Sequence, residues 1–301
     1  MSMNREMRFL PARLADRLRA LRLAVRRPVR GTVQGRHRSS SMGASVEFAE
    51  YRPYAPGDPV QLLDWSVYAR SDRYVIRRHR EETNLRAWIL LDVSESMDFL
   101  DGADERKFDH ACRLAAALMF ILVNQGDSAG LVPFNGRAGR RLGPASTFAD
   151  LRPILETLED LRPSGRTHFE TAIRDAAALM PRRGLVLLLS DLLEQPDSIS
   201  RGLHMLRHEG HELAVFHVLD PGELRLGGSG ETEYRELETG RRLTADPDEL
   251  RDRYSRAVRR HIDQVRRACS DAQSDYGLAL TSAPLEAVLH ARATRKMQAR
   301  P

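Results

Sequence analysis

The chain lacks several features that would place it in a familiar protein class. It has only two cysteines in 301 residues, neither in a Cys-x-x-Cys pair, which argues against a disulfide framework and favours a reducing, cytoplasmic setting. Its apolar runs are far shorter than the roughly 20 residues that span a bilayer. The first ten residues lack an apolar core followed by a cleavage site, so we expect no secretory signal. A Gly-x-x-x-x-Gly-Lys-[Ser/Thr] motif is also missing, which excludes nucleotide hydrolysis by a P-loop.

Positive charge is unevenly distributed along the chain. The formal net charge is +5, and only two of the basic residues are lysines, Lys107 and Lys296. Residues 1–38 carry eleven arginines against Glu6 and Asp16, a net charge of +9, which leaves −4 for all later residues. The basic character therefore belongs to an N-terminal arm, residues 1–38, and not to the rest of the chain.

The arm has the apolar spacing of an amphipathic helix. Apolar residues recur every three or four positions, at Met7, Leu10, Leu14, Leu18, Leu21 and Val25. This pattern predicts a basic helix over residues 5–27 that ends before Pro28. Such a helix could dock on its own domain, bind a partner, or make peripheral contact with an anionic membrane surface. Nucleic acid is the less favoured ligand, because no interleaved aromatic residues offer base stacking.

The sequence after the arm divides at about residue 85. Residues 39–84 are rich in Tyr, Trp, Pro and Val with tight-turn signals, which predicts a β-rich segment in which Trp65 is buried. From residue 85 to about 294, strand-like and helix-like patterns alternate, which predicts an α/β domain with a doubly wound, mainly parallel sheet. The strand-like runs are residues 87–92, 128–134, 184–190, 212–219 and 277–281. A Gly-rich stretch predicts a hairpin insertion near residues 222–244.

Oxygen-bearing side chains follow the first strand of this domain. Asp92 stands directly after a continuous apolar run, and Ser94 and Ser96 follow at every second position. If the chain stays extended, these three side chains point the same way. Thr167 precedes a predicted helix and Asp191 ends another strand, so in an open α/β sheet both are expected at the same edge. Carboxylate and hydroxyl oxygens suit Mg²⁺ or Mn²⁺, and the five residues together predict a metal site.

The predicted site favours binding over catalysis. A cation held largely by the neutral hydroxyls of Ser94, Ser96 and Thr167 stays electrophilic and would attract a carboxylate from another molecule. Nothing in this chemistry requires a bond to break. The structural alternative for the Asp92–Ser96 segment is a helix cap and turn without any ion, because Asp and Ser favour both.

Two families share these patterns. Asp92-Val93-Ser94-Glu95-Ser96, Thr167 and Asp191 resemble the metal-ion-dependent adhesion site of von Willebrand factor A-like domains, which have a Rossmann-like fold. The upstream stretch beginning SVEFAEYRPYAPGD is similar to the family called domain of unknown function 58, in which it precedes such a domain. This resemblance implies partnership with a MoxR-type AAA+ ATPase or its client protein. Arg166 precedes Thr167 where glycine is common in these sites, which would weaken metal binding by that loop.

Three functions are therefore carried forward from the sequence. The first is a non-enzymatic, metal-dependent protein-interaction module that works with a MoxR-type AAA+ ATPase. The second is a Mg²⁺-dependent phosphohydrolase with Asp92 as nucleophile, although the usual second aspartate two residues later is replaced by Ser94. The third is binding of nucleic acid or an anionic surface through the basic arm.

Overall fold

The computed structural model describes residues 7–23, 48–54, 63, 65–71, 73–79, 85–181 and 183–289. The chain forms two compact units, one of residues 1–27 with 85–301 and a smaller one of residues 28–84. Numbered in chain order, the helices are α1 Ala12–Leu18, α2 Trp65–Ser71, α3 Lys107–Asn124, α4 Phe148–Asp160, α5 Phe169–Leu179, α6 Pro196–His208 and α7 Pro247–Asp271. The strands are β1 Phe48–Pro53, β2 Val75–His79, β3 Arg86–Asp92, β4 Ser128–Phe134, β5 Leu142–Ala145, β6 Leu185–Ser190, β7 Glu212–Leu219, β8 Thr232–Arg235, β9 Arg242–Ala245 and β10 Asp275–Leu280.

The smaller unit contains a two-stranded antiparallel sheet and a helix. Strand β1 pairs with β2, and α2 lies between them in the chain. The rings of Tyr68 and Tyr74 stack with their centroids 4.5 Å apart. The sequence analysis predicted strands and turns here but not α2, and its expectation that Trp65 is buried was wrong, since Trp65 is 56% exposed. Trp65 is the first residue of a two-turn helix, where it contacts only the edge of the Tyr68 ring among the aromatic side chains described.

The larger unit is built on a six-stranded sheet in the order β10-β7-β6-β3-β4-β5. All neighbouring strands are parallel except β4 and β5, which are antiparallel. The four central strands are buried almost along their whole length, as expected for parallel strands covered on both faces. The α/β fold with a doubly wound, mainly parallel sheet is therefore confirmed.

Strand β3 shows how the sheet separates two hydrophobic cores. Ala87, Ile89 and Leu91 face the core that contains α3 and α4, whereas Trp88 and Leu90 face the core that contains α5 and α6. Successive side chains alternate across a strand, so one apolar run supplies both cores. In the described part of the chain, no helix is long and apolar enough to cross a membrane.

The topology creates a crevice at the carboxyl ends of β3 and β6. The chain leaves β3 through α3 toward β4, and later returns past β3 to place β6 on its other side. Connections that leave two adjacent strands in opposite directions open a gap at their carboxyl ends, which is where open α/β sheets bind ligands. These two strands are neighbours in the sheet and pair in parallel from Ala87–Leu185 to Leu91–Leu189.

The N-terminal arm forms a shorter helix than predicted. The expected helix over residues 5–27 is wrong in its extent, because α1 has only seven residues and begins after Pro11, whose backbone is extended. Phe9 and Leu23 lie outside the helix, yet both are buried in the same core as Leu14 and Leu18. Packing on the body, and not helical periodicity alone, sets the path of this segment. Its apolar side chains are therefore covered by the protein itself.

Two arginines of the arm are paired with acidic residues of the body. The Arg8 guanidinium lies 2.8 Å from the Asp109 carboxylate, and Arg17 pairs with Glu286. These contacts neutralise part of the positive charge of the N-terminal arm. The remainder of the arm, residues 1–6 and 24–38, lies outside the described residues, so its predicted role stays a prediction.

Candidate functional site

Asp92, Ser94 and Ser96 lie together at the end of β3. Asp92 is the last residue of the strand, and its Oδ1 accepts a hydrogen bond of 3.0 Å from the Ser94 backbone N–H. The chain does not stay extended to Ser96 as predicted, because a 3-10 turn begins at Glu95. The turn nevertheless brings the Ser94 and Ser96 Oγ atoms to 3.0 Å from each other. Ser94 precedes the turn, but its side chain makes no capping bond, so a simple cap does not explain it.

The end of β6 meets this cluster through Ser190 and Asp191. The Ser190 hydroxyl donates a hydrogen bond of 2.6 Å to Asp92 Oδ2. Asp191 follows directly, and its Oδ1 accepts a hydrogen bond from the Leu193 backbone N–H. The next residue, Leu192, has a φ of 49°, and its N–H donates to Ser190 Oγ. This tight turn holds Ser190 and Asp191 beside the end of β3; Ser190 was not identified from the sequence.

Asp191 also pairs with a buried lysine. Lys107 Nζ lies 2.7 Å from Asp191 Oδ2 and 2.6 Å from Glu223 Oε1, and the lysine side chain is fully buried. Burial alone would raise the pKa of the Asp191 carboxyl, but the Lys107 ammonium, aided by Ser96, lowers it below the usual value. Burial would lower the pKa of Lys107, and the two carboxylates raise it instead. Asp191 is therefore a charge-compensated carboxylate.

Asp92 is in the opposite electrostatic state. Burial and the nearby Asp191 carboxylate raise the pKa of Asp92 to about 7, although hydrogen bonds from Ser190 and Ser94 lower it in part. Among the ion pairs between described residues, none involves Asp92. A buried carboxylate without a cationic partner is costly. A cation near Asp92 would supply the missing compensation.

Thr167 lies in a loop beside the site and contacts a glutamate of the hairpin insertion. The loop before α5 lies against β3, because the Ser164 N–H donates to Val93 O and the Glu95 N–H donates to Gly165 O. The Thr167 hydroxyl lies 3.3 Å from Glu238 Oε1, and the Thr167 N–H donates to the same oxygen over 3.4 Å.

The donor set at the ends of the two strands consists of oxygen atoms. It comprises the carboxylates of Asp92 and Asp191 and the hydroxyls of Ser94 and Ser96. Within the described ranges, no three His, Cys, Asp or Glu side chains form a metal-binding group, so a metal here would depend on hydroxyl oxygens. Hard oxygen donors of this kind fit Mg²⁺ or Mn²⁺.

The structure brings the five residues predicted from the sequence to the same edge of the sheet, and four further residues were missed. Asp92, Ser94, Ser96 and Asp191 lie at the ends of β3 and β6, and Thr167 lies in the loop that is hydrogen-bonded to Val93 and Glu95. The missed residues are Ser190, Lys107, Glu223 and Glu238. Ser190 had a usable signal, since it is the polar end of an apolar run. The other three carry no local signal, because a charged residue in a helix or hairpin usually faces solvent.

Sequence comparison relates the chain to one family. The profile of the family described as "Protein of unknown function DUF58" matches residues 50–264. Uncharacterized proteins of Mycobacterium tuberculosis and Mycobacterium bovis are each 32% identical to the chain over 260 residues. These matches cover 85% of this chain and 81% of each relative.

Structural comparison finds partial likenesses. The protein BatB from Bacteroides thetaiotaomicron has a TM-score of 0.48 at 19% identity, over 72% of this chain and 100% of its own. The SpRpn10 VWA domain has a TM-score of 0.40 at 15% identity, over 69% of this chain and 94% of its own. Since both scores lie below 0.5, the fold assignment depends on the strand order and registers described above.

Proposed function

The chain belongs to the DUF58 family, and we propose that the carboxyl edge of its main sheet is a metal-dependent protein-docking site. Asp92 carries the proposal, because it is fully buried and has no cationic partner among the described ion pairs. It accepts hydrogen bonds from the Ser190 hydroxyl and the Ser94 N–H. The Ser96 hydroxyl and the Asp191 carboxylate lie at the same strand ends. A divalent cation would compensate the Asp92 charge and use the hydroxyl oxygens beside it.

The side chains divide into two roles in this proposal. The hydroxyls of Ser94, Ser96 and Thr167 would hold Mg²⁺ or Mn²⁺ directly, and Asp92 and Asp191 would act directly or through water. When bound, the metal would supply an electrophilic position for a carboxylate. Lys107 forms an ion pair with Asp191, which holds the carboxylate in place and compensates part of its negative charge. A site with less negative charge compensates less of the positive charge of the cation. The cation then attracts an acidic side chain of a partner more strongly.

The partner proposed is a MoxR-type AAA+ ATPase or its client protein, as the family resemblance implies. The interaction needs an Asp or Glu on the partner that can reach the edge of the sheet. The proposal keeps the cytoplasmic setting expected from the sequence, which fractionation of the native cells would test.

Docking is favoured over the two alternative functions. A phosphohydrolase with Asp92 as nucleophile needs a general acid two residues later, and that position is the fully buried Ser94. An assay for Mg²⁺-dependent phosphatase activity tests this alternative directly. For binding of nucleic acid through the arm, two of the described arginines, Arg8 and Arg17, are already paired with the body.

The test is a pull-down from native lysate with Mg²⁺ or with EDTA, read by mass spectrometry. We expect a MoxR-type ATPase or its client to be retained with Mg²⁺ and lost with EDTA. Asp92→Asn should abolish this retention, and Asp104→Asn should not, because Asp104 is an exposed aspartate outside the site. Partners that bind equally with EDTA, or that bind the Asp92→Asn variant as well as the wild type, would refute the metal-dependent site.

A further inference from the structure

The hairpin insertion places one carboxylate on the candidate site. Strands β8 and β9 pair with each other and with no strand of the main sheet. The turn that joins them contains Glu238, whose carboxylate lies 3.3 Å from the Thr167 hydroxyl. The backbone oxygen of Glu238 also accepts a hydrogen bond of 3.1 Å from Arg166 Nε. Glu238 therefore contacts the predicted metal ligand Thr167 and the arginine that precedes it.

The Glu238 carboxylate lies beside a hydroxyl that the proposed function assigns to the metal. An external acidic group would have to reach a cation held by the hydroxyls of Ser94, Ser96 and Thr167. Asp92 and Ser94 are fully buried and Ser96 is only 8% exposed, so this part of the site is covered in this conformation. The Thr167 hydroxyl already has Glu238 as a neighbour.

The turn that carries Glu238 is internally organised. The Glu236 N–H donates to Arg241 O over 2.8 Å, and the Gly240 N–H donates to Glu236 O over 2.9 Å. Gly240 has a φ of 68°, which glycine adopts without strain. The Thr239 hydroxyl accepts from the Arg241 N–H and bonds to the Glu236 carboxylate. Glu238 is thus presented by a preformed turn.

The hairpin is held to the body weakly. None of its strand residues belongs to either hydrophobic core, and Leu237 and Leu243 are 39% and 63% exposed. The contacts from Thr167 to Glu238, at 3.3 and 3.4 Å, are long for hydrogen bonds. Segments with few buried apolar contacts open at low free-energy cost. The turn can therefore leave the site without disturbing the sheet.

We propose that Glu238 is an internal ligand of the metal site, which closes it until a partner carboxylate displaces Glu238. This inference rests on the proposed function, because it assumes a cation held by Asp92 and the three hydroxyls. It adds that a further oxygen donor comes from the chain itself. The partner then competes with Glu238, and the affinity of docking depends on how readily the hairpin moves away.

The test is a titration of the purified full-length chain with Mn²⁺, followed by electron paramagnetic resonance, in the presence and absence of acetate. Glu238→Ala should weaken Mn²⁺ binding by about tenfold, the lower end of the usual effect of a supporting ligand. Acetate should restore the affinity of this variant, because it supplies a carboxylate to the vacated space. Glu238→Gln should weaken binding similarly but resist rescue, since its side chain still fills that space.

Controls separate this inference from the proposed function. Glu231→Gln makes the same change of charge at an exposed position just before β8 and should bind Mn²⁺ like the wild type. If Mn²⁺ binds the wild type but not Asp92→Asn, while Glu238→Ala binds as the wild type and ignores acetate, the internal ligand is refuted and the metal site stands. If the wild type shows no Asp92-dependent Mn²⁺ binding, both proposals are overturned.

A second measurement follows the hairpin itself by amide hydrogen exchange. Mg²⁺ should slow exchange of residues 236–241 in the wild type and in Glu231→Gln, because the bound cation retains Glu238. The effect should disappear in Glu238→Ala. Equal protection by Mg²⁺ in all three proteins would contradict an internal ligand.

Discussion

The neighbouring ends of β3 and β6 carry one buried aspartate each, in opposite electrostatic states. Asp191 has a lysine ammonium 2.7 Å away and a lowered pKa, whereas the pKa of Asp92 is raised to about 7. Both side chains are almost inaccessible, so burial does not distinguish them. The difference comes from α3, whose first residue, Lys107, faces Asp191. One strand end is compensated by the protein, and the other carries a buried carboxylate with no cation among the described ion pairs.

The largest effect on stability is expected from removal of the Lys107 ammonium, which compensates Asp191. Lys107→Met should lower the free energy of unfolding by about 3–5 kcal/mol, because it leaves Asp191 and Glu223 buried without their cation. Urea denaturation measures this loss. Arg106→Met is the control, since Arg106 pairs with Asp98 at the surface and should contribute less than about 1 kcal/mol. Similar losses in the two variants would show that Lys107 is no more important than a surface ion pair.

Mg²⁺ should stabilise the protein through Asp92, at the end of β3. At a Mg²⁺ concentration about 100 times its dissociation constant, binding to the folded state alone should stabilise the wild type by about 2.7 kcal/mol. Asp92→Asn should remove this increment, because the variant lacks the uncompensated carboxylate. Denaturation with Mg²⁺ and with EDTA gives the comparison. An equal increment in the variant would assign the metal to a different place.

Removal of the Asp92 charge should have a smaller effect of the opposite sign to that of Lys107. In EDTA, Asp92→Asn should raise the free energy of unfolding by about 1–3 kcal/mol, because it removes a buried charge without a cationic partner, and desolvation of a buried polar group costs about this much. The amide oxygen can still accept from the Ser94 N–H, so the local turn is preserved. A clear decrease in stability would mean that the charge of Asp92 is already compensated in the metal-free protein.

Most of the larger unit could be predicted because its elements have strong local signals. The strand-like runs at residues 87–92 and 128–134 match β3 and β4 to within about one residue. Strand β5 was missed, because its four residues include Gly143 and Pro144 and carry no strand pattern. The extent of the N-terminal helix was wrong, because burial of Phe9 and Leu23 against the body favours a different path.

The candidate site was also predictable from the sequence only in part. Asp92, Ser94, Ser96, Thr167 and Asp191 could be selected from the sequence, since each stands at a strand end or before a helix. Lys107 is 84 positions from Asp191 and Glu238 is 71 positions from Thr167, and each lies in a local pattern typical of solvated residues. Their roles depend on contacts that no spacing along the chain encodes.

The sequence by itself determined the α/β alternation, the parallel strands and the polar residues at their carboxyl ends, because burial and backbone preferences act over a few neighbouring residues. Only the tertiary structure decided which aspartate pairs with Lys107 and where the hairpin turn lies. Electrostatic compensation depends on distances of a few ångströms between elements remote in the chain. The residue types of the site can therefore be predicted from the local sequence, whereas its electrostatic state depends on the folded structure.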